Sequence, residues 1–215
     1  MPLKSVENIA PDVYLGMWNI TESVDGFLLC CGNAAVLETL IAGYTSEQRR
    51  REVLAVRMLL DEMIGTDVAL RHEESGRPIL SNGMNVGISH TKGFASVIVS
   101  PGRKVAVDVE YMSERVRKVA AKMLRTDESA DTLLGLLLHW CAKETLYKLY
   151  SDERLALKDM QVLSVEGDNT RGIVKAKNVK RSETLDVFYR VFDNKVLTYA
   201  ILSLCCFFFW AFLFP

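Results

Sequence analysis

The chain has 215 residues, of which 49% are hydrophobic and 25% charged, with 26 basic against 27 acidic side chains. That balance excludes a disordered, collagen-like or low-complexity protein and leaves room for one large domain or two small ones. A net charge of -1 gives no global basic excess, so nucleic acid is not an expected partner and any anionic ligand must be held by a local patch.

The N-terminus MPLKSVENIAPD carries Glu7 and Asp12 and does not read as a signal peptide. Strand-like runs follow at Tyr14–Thr21, Gly26–Cys31, Val86–His90, Phe94–Val99 and Val105–Glu110, and again after Asp159. Lys92-Gly93 predicts a hairpin turn between two of them. A helix is predicted from Thr45-Ser46-Glu47-Gln48, which has the spacing of a capping box, through Val53, Leu54, Val56, Leu59, Leu60 and Met63 to Gly65. A basic helix is expected from Ser113 to Arg125, and a third from about Ser129 to Tyr150 on Leu133, Leu137, Trp140, Leu146 and Leu149. Helices and strands mix without strict alternation, which gives an α+β class.

Val196–Pro215 is one uncharged run. Its length is within the range of a membrane-spanning helix, which is one reading. The other splits it into a closing strand, Val196–Leu202, and an apolar tail, Ser203–Pro215, that packs on the outer face, makes a peripheral membrane contact or comes from an altered reading frame. The five cysteines, Cys30, Cys31, Cys141, Cys205 and Cys206, make neither a CxxC nor a zinc spacing, which fits a reducing cytoplasm.

Four segments carry chemistry. In Lys104-Val-Ala-Val-Asp108-Val-Glu110, alternation puts the valines on one face and Lys104, Ala106, Asp108 and Glu110 on the other. Two carboxylates on one strand face repel, so they await a compensating hard cation such as magnesium, or else they end a strand in water. In His139-Trp140-Cys-Ala-Lys143-Glu144-Thr-Leu-Tyr-Lys148, Trp140, Glu144 and Lys148 line one helix face. Glu144 there is either a third oxygen ligand or half of an ordinary exposed ion pair. Gly87-Ile88-Ser89-His90-Thr91 brings a hydroxyl and an imidazole to a strand end, and Ser75-Gly76-Arg77 presents one arginine in a turn.

With GRPIL, VGISHT, VAVDVE and WCAKETLYK in this order, and EQRRREVLAVRMLL before them, the chain resembles the 4′-phosphopantetheinyl transferase superfamily, in its longer, surfactin-synthetase-activating type. The likeness extends over about residues 45–165. It implies two similar α+β halves, residues 1–100 and 101–202, forming a pseudodimer with the active site in the cleft between them. It implies magnesium-dependent transfer of the 4′-phosphopantetheine arm of coenzyme A to a serine of an apo acyl or peptidyl carrier protein, leaving adenosine 3′,5′-bisphosphate. By position in the motifs, Asp108, Glu110 and Glu144 are the expected magnesium ligands. Glu144 and Lys148 are the candidate bases, with Glu144 favoured and Lys148 assisting. Arg57, Arg77, Ser89, His90 and Lys148 are the expected coenzyme A contacts. Arg49, Arg50 and Arg51 form either a solvated helix face or further phosphate contacts. Arg115, Arg117, Lys118, Lys122 and Arg125, with Met123 and Leu124 among them, offer a docking surface for an acidic carrier or a solvated face. A pseudodimeric chain needs no second copy, so a monomer is expected. The alternatives are a non-catalytic carrier-binding module, or another magnesium enzyme acting on a nucleotide diphosphate. The reading requires that Asp108, Glu110 and Glu144 converge on one point.

Overall fold

The computed structural model describes residues 4–30 and 34–202, so the predicted tail from Ser203 onward lies outside the described residues. The architecture is mixed α+β with several sheets. An antiparallel hairpin, β1 (Lys4–Ala10) and β2 (Val13–Asn19), opens the chain. Helices α1 (Val24–Cys30), α2 (Ala34–Ile41) and α3 (Glu47–Ile64) follow, then the short pair β3 (Leu70–His72) and β4 (Pro78–Leu80). The hairpin of β5 (Asn85–Thr91) and β6 (Phe94–Ser100) turns on Gly93 at φ 73° and completes a four-stranded sheet in the order β1-β2-β6-β5.

The chain then changes sheet. Strand β7 (Lys104–Tyr111) is followed by a 3-10 turn at Glu114–Lys118, a single turn α4 (Ala120–Met123) and the long helix α5 (Leu133–Leu149). Strands β8 (Met160–Gly167), β9 (Arg171–Asn178), β10 (Glu183–Phe192) and β11 (Lys195–Leu202) complete a five-stranded sheet ordered β7-β11-β10-β9-β8.

Burial follows the alternation of the strands. Helix α3 covers one face of the first sheet, with Leu54, Leu59 and Leu60 against Trp18, Val97 and Val99. Helix α5 covers the outer face of the second sheet, with Cys141, Leu146 and Leu149 against Ala106, Val174 and Ala200. Between the sheets lies a third core of Val13, Leu15 and Ile98 against Val105, Val107, Val109 and Leu197. The valine face of β7 is thus a core face, as its sequence requires. Its opposite face is turned toward α5 and not toward water.

Three expectations are corrected. Gly26–Cys31, read as a strand, belongs largely to helix α1. The Ser23 side chain accepts the Gly26 N–H at 3.1 Å, its carbonyl accepts from Phe27 N at 3.2 Å, and Phe27 packs on Trp18, so local capping overrides the strand-like composition. Helix α3 is capped one residue later than expected: Ser46, not Thr45, accepts the Arg49 N–H. The basic Ser113–Arg125 segment is not one helix, since Val119 separates the 3-10 turn from α4 and Leu124 is extended. The closing strand and the 92–93 hairpin stand as expected. Among the described residues Cys30 and Cys141 are free thiols, and no helix is long and apolar enough to cross a membrane.

Candidate active site at the β5–β7 seam

The two sheets approach each other along β5 and β7, and Gly87 makes the approach possible. A Cβ at Gly87 would stand 3.0 Å from Ala106 Cα and 3.1 Å from Val107 N. Only a residue without a side chain lets the strand backbones come this close. Two residues on, Ser89 uses that proximity. Its hydroxyl accepts the Val109 N–H at 3.1 Å and donates to Asp108 Oδ1 at 3.0 Å.

Helix α5 brings the rest. It lies across β7 so that residues four apart meet successive positions of the strand. Trp140 Nε1 donates to Glu110 Oε1 at 3.1 Å. One layer deeper, Thr145 and Thr198 share a hydrogen bond of 2.7 Å, and Thr198 donates to the Cys141 carbonyl, pinning α5 to β11 opposite Asp108. Lys148 closes the row. Its ammonium reaches Asp108 Oδ1 at 2.8 Å, Ser89 Oγ at 3.0 Å and the Val107 carbonyl at 3.0 Å.

Asp108 is 4% exposed, and its second oxygen, Oδ2, is buried without a hydrogen-bond partner among the described residues. A buried carboxylate oxygen in that condition is costly and marks a position for a further ligand. The neighbouring acids feel the same crowding. Burial first, then the charge of Asp108, pushes Glu144 above the ordinary carboxylate range, against the pull of Lys148. Glu110 is raised for the same two reasons, opposed by its hydrogen bond from Trp140. The Cys141 thiol beneath is pushed well up by burial and then by the Asp108 charge, so it is an inert filler.

Asp108, Glu110, Glu144 and Lys148 are therefore gathered on one wall. The convergence on one point that the sequence reading requires is not seen: among the described residues no three His, Cys, Asp or Glu side chains are set to hold a metal ion. Glu110 is turned to Trp140, and Asp108 Oδ1 to Lys148 and Ser89. What fits a hard cation is the donor chemistry, carboxylate oxygens held together at the cost of mutual repulsion, and the orphaned Oδ2.

Two cavities flank this wall. One of about 370 Å³ is lined by Arg77, Lys104, Glu144, Tyr147 and Lys148, with Gly87 and Ile88 at its side. Arg77 and Lys104 both hold Asp152 at its rim, at 2.9 and 3.3 Å, and Lys104 above all keeps the Asp152 carboxyl below its usual range. The other cavity, of about 510 Å³, lies against Glu110 and Trp140 and is bordered by Lys92, Tyr111 and Arg115.

The remaining expected residues are placed differently. Ser89 spends its donor and both lone pairs on Asp108, Val109 and Lys148, so it braces the site and has no capacity left for a phosphate. His90, the next residue of the strand, points to the opposite side and meets helix α3 through Glu52 and Arg49. Arg57, expected at a phosphate of coenzyme A, is spent on Asp61 and on the Thr66 and Val68 carbonyls, where it ties off the end of α3, and it lines neither cavity. Arg50 bonds the Tyr44 carbonyl and Arg51 that of Ile20. In the basic segment Arg117 pairs with Glu114, and Arg125 with Asp127 and the Lys158 carbonyl; Arg115 alone of the five borders the second cavity.

Sequence reasoning misses Glu52 and Glu128. Glu52 had a visible sign, since it falls on the apolar stripe of α3 that continues through Val56, Leu59 and Leu60. Glu128 had none: its partner Lys143 is fifteen residues away on another element. No protein-family model and no curated protein matches this chain.

Proposed function

We propose that this chain transfers the 4′-phosphopantetheine arm of coenzyme A to a serine hydroxyl of an apo acyl or peptidyl carrier protein. The observation that carries the reading is the knot of Asp108, Ser89 and Lys148 at the seam of the two sheets, with an orphaned carboxylate oxygen and two further acids on the same wall. Asp108, Glu110 and Glu144 would hold Mg²⁺, which when bound neutralises charge on the diphosphate and on the departing phosphate.

The chain's own residues do the rest. Arg77 and Lys104 line the first cavity, and phosphate oxygens would take them over from Asp152, the half-exposed carboxylate they share. Lys148 places a cation beside the same wall, where it neutralises charge developing on a non-bridging oxygen. The carrier's serine oxygen attacks the phosphorus that bears pantetheine, the bridging P–O bond to the second phosphate breaks, and adenosine 3′,5′-bisphosphate departs with the electron pair. The serine proton goes to Glu144, directly or through one water. The cavity beside Glu110, with Lys92, Tyr111 and Arg115 at its edge, faces the approach of an acidic carrier.

The same reading takes residues 1–100 and 101–202 as two versions of one α+β unit meeting at a cleft, acting as a monomer in the cytoplasm. Its support is that the chain changes sheet between Ser100 and Lys104 and that each sheet carries its own long helix.

The test is direct. The full chain is incubated with coenzyme A, magnesium and an apo carrier, and the carrier is weighed. A gain of one phosphopantetheine, lost by at least about a hundredfold in Asp108→Ala and Glu144→Ala, is the expected result. Hydrolysis of coenzyme A with the carrier unmodified replaces the transferase reading with a hydrolase.

A further inference from the structure

The second sheet has one face that its own helix does not use. Alternation turns Val174 and Ala176 of β9 and Val187 of β10 into the core under α5, and so turns Ile173 and Phe188 the other way. Ile173, Phe188 and Tyr199 stand opposite one another in register, one row across β9, β10 and β11, with the Phe188 and Tyr199 rings stacked at 5.2 Å. The first sheet covers the β7 and β11 side of this face. It meets β10 through Phe94 on Phe192, ring centres 5.4 Å apart, and through Glu7 on Arg190, at 2.6 Å. Beside that line lies an open groove of about 750 Å³, lined by Ile173, Phe188, Phe192 and Tyr199 together with Arg171 and Arg190.

The chemistry of the groove favours an uncharged, aromatic occupant. Arg190 already has its charge answered by Glu7, and its guanidinium stands over the Tyr199 ring at 6.0 Å. Further rings can stack on the Phe188–Tyr199 pair and on guanidinium faces without bringing a charge of their own.

The chain supplies such a segment. Ser203–Pro215, outside the described residues, has no charge and holds five phenylalanines and Trp210 among its thirteen residues. It follows directly from β11, the strand that carries Tyr199. Leu202, the last residue of that strand, is three positions on, about 10 Å along the sheet. Thirteen residues reach about 40 Å extended and about 20 Å as a helix, so either path returns over β10 to β9, about 10 Å across. The tether also selects among occupants. A segment on the same chain meets the groove at an effective concentration in about the millimolar range, far above that of a second copy in dilute solution.

We propose that the apolar segment Ser203–Pro215 folds back on this groove and sets its aromatic rings against Ile173, Phe188 and Tyr199. The contact covers an apolar run that would otherwise face water, and it braces β11, whose other edge pairs with β7. It does not depend on the proposed function.

The full chain is labelled with fluorotryptophan and at its isoleucine δ1 methyls, and studied at a concentration where sedimentation gives a monomer. Trp210 is assigned by the signal lost in Trp210→Phe. The expected result is a Trp210 fluorine that does not shift when light water is exchanged for heavy water. The Ile173 methyl is expected upfield, moved by ring currents, and to lose that shift in the combined Phe208→Ser, Trp210→Ser, Phe212→Ser chain. In Ile173→Lys the Trp210 fluorine should become solvent-sensitive while Trp18 and Trp140 keep their signals. If that variant loses its fold, the Ile173 methyl comparison decides. A Trp210 that is solvent-sensitive in the monomer, one that stays shielded in folded Ile173→Lys, or an Ile173 methyl indifferent to the serine substitutions overturns the proposal. Shielding that appears only as protein concentration rises, or only with phosphatidylcholine vesicles, overturns it too and assigns the segment to a second copy or to a lipid surface.

Discussion

Helix α5 carries two lysine–carboxylate pairs five residues apart, and they are built for opposite purposes. Lys143 and Glu128 are sealed, with side chains 1% and 0% exposed. Lys143 also donates to the Met123 carbonyl, while Glu128 accepts the Arg125 and Val162 N–H groups, so the charges and their hydrogen-bonding capacity are answered inside the protein. Lys148 and Asp108 are half open. The lysine is 30% exposed, the carboxylate is buried, and one of its oxygens has no partner among the described residues. Identical chemistry serves as a rivet in the first case and as a receptor in the second. The difference lies in how completely the surroundings use the available donors and acceptors.

The strongest way to break this contrast is to remove half of the sealed pair. Lys143→Met leaves Glu128 buried and uncompensated, and it is expected to cost about 3–5 kcal/mol in urea unfolding. A loss below about 1 kcal/mol would mean that the pair is no rivet. At the seam, Gly87→Ala forces a Cβ against the β7 backbone and Ile98 and is expected to cost about 1–3 kcal/mol. It should lower transfer activity even where the chain remains folded, since Ser89 and Asp108 are brought together by that close approach.

A smaller effect comes from pH. Burial holds His139 below the ordinary histidine range, although its Nδ1 bonds the Gly135 carbonyl at 2.9 Å. A base depressed in the folded state binds fewer protons folded than unfolded. Stability is therefore full above the unfolded value of about 6.5 and declines as pH falls through the window beneath it. As pH falls from about 7 to about 5 the chain should lose stability through this group, and His139→Gln should flatten that part of the slope. His90 is depressed too, by burial and then by Arg49, so the variant removes only part of the loss.

The smallest change is expected at the open pair. Asp108→Asn keeps the shape, relieves the repulsion felt by Glu110 and Glu144, and should leave unfolding stability within about 1 kcal/mol of the wild type while transfer collapses. If it destabilised the fold as much as Lys143→Met, the two pairs would be alike and the comparison would fail.

Much of the seam was legible in the order of residues. The alternation of Val105, Val107 and Val109 against Asp108 and Glu110 predicted which face would be core, and the spacing of Trp140, Glu144 and Lys148 predicted a shared helix face. Both stand, because each depends only on the period of its own element. The Ser113–Arg125 segment shows the limit. Its composition suits a helix, yet it is broken into short turns, with Val116 and Met123 drawn into the core and Lys143 bonding the Met123 carbonyl. Arg57 shows another, since a phosphate-seeking arginine and one that ties off its own helix look the same in a sequence.

By itself, then, the sequence determined the α+β class, the hairpin at Gly93, the faces of β7 and α5, and the set of groups able to carry charge. Only the tertiary structure decided which of those groups meet. It set Ser89 against Asp108 while turning His90 to Glu52, and it closed Lys143 on Glu128 while leaving Asp108 with an oxygen to spare. Periodicity is a local property of the backbone, whereas desolvation and the choice of a partner depend on which distant segments are packed alongside.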